Sequence, residues 1–295
     1  MFRHKLHDSE ENMNQQLSKI QNDIIQLYFE TFKKYDGGLG LSIPHIPRIS
    51  MNYLMNRTII VGQETNTWYG VGLNQEDNLK DLFDNHPHEI EKYCLDEAYD
   101  PFIRECAAQY GGKFWDFNRL LYKEKIIDGE MINGNTLSHC WINLFAVEAC
   151  KDKADKWGTP TANRALAAKV LELQSDLLHK VFEILRPKCI IFLTGASNDE
   201  ALFKTAITTE MYVKKAIDTN GVLNEHELVQ IIVNDVDDVL HNTKIVRTYH
   251  PSYFLSRINV YKSLQGRKEA QGISISNSEY YKKVLFDFLK SQISE

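Results

Sequence analysis

Long apolar runs are missing from this chain. No stretch of about 18 apolar residues exists, so the sequence offers no membrane-spanning helix. Residues 1–11 lack the apolar segment of a secretory signal, and the chain reads as a cytoplasmic protein. Cysteine is sparse as well. Cys94, Cys106, Cys140, Cys150 and Cys189 are odd in number and never form a C-x-x-C pair. A zinc ribbon or an iron–sulfur cluster therefore has no local signature, and scattered, mostly buried reduced thiols are expected. The cluster His86-Pro87-His88-Glu89 is the nearest thing to a metal site, and a solvated turn explains it more cheaply. No cofactor is expected. With 7 prolines and 15 glycines, the chain is neither collagen nor a low-complexity tract.

What is present is an ordinary globular composition: 295 residues, 43% apolar and 25% charged, enough for one large domain or two small ones. The formal charge of -6 argues mildly against nucleic acid as a partner, although a total says little about any one face. Charge is also unevenly spread. Ten acids between Val71 and Glu105 face only Lys80, Lys92 and Arg104. After His241 the balance reverses, with Arg257, Lys262, Arg267 and Lys268 among nine basic residues against four acids. An anionic partner would meet the C-terminal part.

Periodicity organises the rest. Leu17, Ile20, Ile24, Leu27, Tyr28 and Phe32 recur at helical spacing, so residues 9–34 are predicted to form an amphipathic helix. Four short apolar runs read as buried strands: Arg57 to Gly62, His139 to Phe145, Cys189 to Leu193 and Lys244 to Tyr249. One long helix carrying Leu166, Val170, Leu173, Leu177, Val181 and Leu185 precedes the third strand, and a last helix covers about 278–292. Strands alternating with helices predict an α/β fold, a three-layer α/β/α sandwich around a central, mainly parallel four-stranded sheet. Residues 1–50 read as a helical extension packed on a domain spanning 51–295. In such sheets function collects where the C-termini of strands open into loops.

Four segments stand at those loops. Gly62-Gln63-Glu64-Thr65-Asn66-Thr67-Trp68-Tyr69-Gly70 follows the first strand, and Asn143 lies on the second. Arg186-Pro187-Lys188 leads into the third, which ends in Thr194-Gly195-Ala196-Ser197. His250-Pro251-Ser252-Tyr253-Phe254-Leu255-Ser256-Arg257 follows the fourth. Taken in order, over about residues 55–260, these segments resemble the uracil-DNA glycosylase superfamily. That family carries Gly-Gln-Asp-Pro-Tyr-His or Gly-x-Asn-Pro-Gly after its first strand, an Asn-bearing strand, an x-Pro-Lys-strand-Gly element and a final His-Pro-Ser.

The resemblance implies a monofunctional DNA glycosylase, which hydrolyses the N-glycosidic bond of a flipped nucleotide and leaves an abasic site. Bond cleavage develops a cationic sugar and a negatively charged base. Glu64 stands at the family's Asp position, where a carboxylate aligns water and favours the cation. His250 stands where a donor meets the departing base. Asn143 would read the base edge, with Gln63, Asn66 and Tyr69 lining the same pocket. Ser197, Ser252, Arg257, Lys262, Arg267 and Lys268 would hold phosphates, and Phe254 or Leu255 would fill the vacated stack.

Two departures bear on the substrate. Asn66 replaces the Tyr that closes the uracil pocket at the pyrimidine 5-position, and Thr65 replaces the Pro before it. A shorter polar side chain leaves room for a 5-substituent, so hydroxymethylated or glucosylated cytosine of phage DNA, excised in defence, is the expected substrate. Ordinary uracil excision in repair, and a non-catalytic member of the fold that binds nucleic acid or protein, are the alternatives. An unrelated nucleotide-processing α/β enzyme is the third.

Overall fold

The computed structural model describes residues 2–37, 40–65, 68, 72–73, 77–107, 109–134, 136–150, 157–158 and 163–293. Its centre is a six-stranded mixed sheet. The strands are β1 (Thr58–Gly62), β2 (Cys140–Asn143), β3 (Cys189–Phe192), β4 (Tyr212–Ala216), β5 (Leu228–Val233) and β6 (Lys244–Thr248). They lie in the order β2-β1-β3-β6-β5-β4. The four predicted strands are the parallel part, β2-β1-β3-β6. An antiparallel hairpin, β4–β5, extends the sheet beyond the four strands predicted. β4 has no apolar run: its residues are half-buried or exposed, and Lys214 and Lys215 stand on an edge. Lysines on an edge strand discourage pairing with another chain.

Strand residues alternate between two cores. Ile59, Val61, Ile190 and Phe192 enter one hydrophobic cluster; Ile60, Ile191, Leu193 and Val246 enter the other. The helices that cover them are α1 (Phe2–Phe32), α2 (Lys113–Lys123), α3 (Arg164–Leu173), α4 (Leu177–Leu185), α5 (Lys262–Ala270) and α6 (Asn277–Ile293). α1 contributes Ile24, Tyr28 and Phe32 to the first cluster, joined by Leu41, Ile43 and Ile46 from the segment behind it. α2 and α6 contribute Phe117, Leu121, Tyr281 and Leu285 to the second.

The long helix predicted before β3 is two helices. The chain breaks at Gln174, Ser175 and Asp176, where Asp176 takes a left-handed φ of 62°. The break frees the Gln174 side chain, which is fully buried. Its amide donates to Leu144 O at 2.5 Å and accepts from Ala146 N at 2.9 Å. Both main-chain groups of that loop are thereby satisfied in the interior.

Because β1, β2, β3 and β6 are parallel, their C-terminal loops open at one end of the sheet. Leu144 N donates to Gly62 O, Phe145 N to Gln63 O and Gly195 N to Thr248 O, each at 2.9 Å. Main-chain bonds of this kind tie the loops to one another before any side chain is considered.

Candidate active site

A cavity of about 200 Å³ sits at that end of the sheet. Gln63, Glu64, Asn143 and His250 all line it, so residues up to 187 positions apart in sequence meet at one place. The cavity is smaller than the ~300–1,000 Å³ of pockets that take drug-sized ligands, which suits a single heterocycle.

Gly62 and Asn143 are register partners on β1 and β2. Asn143 is 2% exposed, and its Oδ1 accepts from Trp141 Nε1 at 3.2 Å. A Cβ at Gly62 would stand 2.3 Å from that oxygen, so glycine is required for the amide to lie where it does. Gln63 is anchored sideways: Nε2 donates to Thr194 O at 2.8 Å, joining the loops after β1 and β3. Glu64 is half-buried on the cavity lining. Its neighbour Thr65 donates through Oγ1 to the carboxyl group of Glu148, a residue with no exposure at all. A buried hydrogen bond of this sort holds the turn that carries Glu64.

His250 has a defined tautomer. The backbone N–H of Ser252 donates to Nδ1 at 3.2 Å, and the Ser252 hydroxyl lies 2.8 Å from the same atom. Nδ1 is thus the acceptor, and the ring proton sits on Nε2. Burial also lowers the His250 pKa below its usual value, which keeps the ring neutral at pH 7. A neutral imidazole with its proton on Nε2 is a donor that does not bring a full charge to the cavity.

Sequence reasoning missed the wall. Trp68, Phe102, Tyr110, Phe114, Trp115 and Trp141 line the cavity together with Lys113. Trp141 packs within 6.2 Å of Trp68, Phe102, Phe114 and Trp115, centroid to centroid. Strand alternation was the available signal for Trp141, which stands two positions from Asn143 and shares its face. For Phe114 there was only the pair Gly111-Gly112 before a helix start, which says nothing about a cavity.

Other expected site residues fare differently. Asn66 and Tyr69 lie outside the described residues. Ser197 is exposed at the helical turn after β3, Ser252 serves His250, and Leu255 is half-buried against the second core. Arg257 and Lys262 are exposed. Two expectations are corrected. Phe254 is 0% exposed, stacked 4.9 Å from Tyr281 and edge-on to Phe117, so it is a core residue and not a wedge. Lys268 is 1% exposed, and its ammonium donates to Ile275 O and to Gln265, so it faces no phosphate. Arg267 pairs with Glu227 at 2.7 Å and keeps 34% of its side chain exposed. The basic run does not share one face, because α5 turns Lys268 inward.

Among the described residues no group of three or more His, Cys, Asp or Glu side chains is arranged to hold a metal, and no helix is long and apolar enough to cross a membrane. Cys94, Cys140 and Cys189 are buried and free. No family model and no curated protein matches the chain.

Proposed function

We propose that the chain is a monofunctional DNA glycosylase of the uracil-DNA glycosylase superfamily, acting on a flipped pyrimidine. The observation that carries this reading is the meeting of Glu64, Asn143 and His250, drawn from three strand ends, on one base-sized aromatic cavity. Each supplies what N-glycoside hydrolysis needs. Glu64 orients water toward the anomeric carbon and favours the cationic sugar. The Nε2–H of His250 meets the base oxygen as it becomes anionic, without a proton having to leave the enzyme. Asn143 pairs with the base edge, and Phe114 or Trp141 offers a ring against which the base packs.

The same proposal extends to architecture and setting. The two hydrophobic clusters are read as the interiors between a central sheet and helical layers on either side, an α/β/α sandwich in which 51–295 is the catalytic domain and 1–50 its helical extension. The substrate is a 5-modified cytosine of phage DNA in a cytoplasmic defence role, with uracil excision in repair as the alternative. DNA is the partner, met on the side of Arg257 and Lys262. Incubation with oligomers carrying uracil, 5-hydroxymethylcytosine or its glucosylated form, followed by cleavage at abasic sites, tests the reading. Cleavage of at least one modified oligomer and not of the unmodified control is expected. Intact strands throughout would leave a binding protein in place of an enzyme.

A further inference from the structure

The buried amide of Asn143 is held one way round. Trp141 and Asn143 share a face of β2, and the indole Nε1–H, which can only donate, reaches Oδ1. That contact identifies the oxygen end of the amide. The other end, Nδ2, is buried and has no partner among the described residues. Buried amide N–H groups without an acceptor are costly, so a ligand that brings one in recovers the loss. Gly62 keeps the arrangement in place, because any side chain there would collide with Oδ1 at 2.3 Å and approach Phe114 Cε2 at 3.3 Å.

The two bases differ where Nδ2 is set against ring position 3 of a pyrimidine. In uracil that atom is an N–H donor; in cytosine it is a bare nitrogen acceptor. With Oδ1 turned to the indole, an amide N–H in that place meets the uracil N–H donor to donor, whereas the cytosine nitrogen accepts it, and uracil satisfies the amide only by shifting a carbonyl oxygen into the position. We propose that Trp141 is a positioning residue that sets base choice, holding Asn143 so that the cavity prefers a cytosine-type edge to a uracil-type one. The inference rests on the glycosylase reading only in taking the ligand to be a nucleobase. The cytosine preference follows from Trp141, Asn143 and Gly62 and needs nothing from Asn66.

Equilibrium titration of the full chain with free cytosine and free uracil tests it, using wild type and Trp141→Phe. The variant keeps a smaller ring in the aromatic wall and removes the indole donor; the loss of ring area weakens both bases alike, so the cytosine-to-uracil ratio is the reading that counts. Wild type should bind cytosine about tenfold more tightly than uracil, and Trp141→Phe should bring the two within about threefold, because the amide is then free to turn. If Trp141→Phe does not fold, Asn143→Asp carries the test, since a carboxylate has no N–H to give and the cytosine preference must go. Equal or tighter binding of uracil by wild type, no binding of either base, or a preference that survives the loss of the indole N–H would overturn the proposal. Cytosine preference without abasic-site formation on any oligomer would keep this inference and remove the glycosylase. Excision confined to uracil would do the reverse.

Discussion

Two regions of the molecule carry residues of the same apparent promise, the strand-end loops and the C-terminal basic run, and they behave differently. In the first, Glu64, Asn143 and His250 come from distant parts of the chain and line one cavity. In the second, Arg257, Lys262, Arg267 and Lys268 are near neighbours, yet two are exposed, one is paired to Glu227 and one is buried. Parallel strands oblige their C-terminal ends to meet, so position in the sheet is inherited from the fold. Helical charge has no such constraint. Each residue's direction depends on its place around the helix, and a count of lysines does not record it.

Breaking the first region should therefore cost activity, and breaking the second should cost either stability or little. His250→Ala has the largest expected effect among these variants, a loss of about 10²–10³ in base-release rate at saturating DNA, because a preorganised donor to the leaving base disappears. A fall in melting temperature with the rate intact would make His250 a structural residue. Phe114→Leu comes next, weakening substrate by about 1–3 kcal/mol if a base stacks there, read from the affinity for an oligomer bearing the target base.

Lys268→Ala then separates the regions. It should destabilise the fold by about 1–3 kcal/mol, since the buried Lys268 side chain and its part-buried hydrogen bond to the Ile275 carbonyl are both lost, and leave DNA affinity unchanged. Denaturant unfolding and DNA titration on the same preparation read both. Lys262→Ala should show the opposite pattern at smaller size, with unchanged stability and a salt dependence of DNA binding shallower by about one ion. If Lys268→Ala weakens DNA binding at full stability, the contrast between the two regions is lost.

The wall behind the cavity adds a pH test. His45 packs on Trp68 and Trp141, and burial lowers its pKa from 6.5 to about 3; His139 is shifted in the same way to about 3. Between these values the unfolded chain binds protons that the folded chain refuses. Stability is therefore full above pH 6.5 and falls as the pH drops toward 3. His45→Phe, which keeps a ring in the cluster, should flatten that fall in urea midpoints measured between pH 7 and pH 4. An unchanged slope would mean that His45 does not contribute.

Much of this is legible in the sequence. Apolar runs mark the four parallel strands, and residues that line the cavity stand just past them, at Gly62 to Glu64 and at His250. Other parts were not legible, for physical reasons. The break at Gln174 leaves the apolar spacing of α3 and α4 in phase, so one helix was the natural reading. β4 has the sequence of an edge and not of a core strand. Phe254 looks like an exposed loop aromatic until Phe117 and Tyr281 close over it. Trp141 could have been found by pairing it with Asn143 two residues on, whereas Phe114 comes from a helix start that no pattern joins to the cavity.

In the proposed mechanism Glu64 does the chemistry, in a cavity that takes one base. Single-turnover release of free base decides this, measured for wild type and for Glu64→Gln on the same target oligomer. Wild type should release the base, and Glu64→Gln should be slower by about 10²–10⁴ with DNA affinity and melting temperature close to wild type. Base release by Glu64→Gln at the wild-type rate would contradict it.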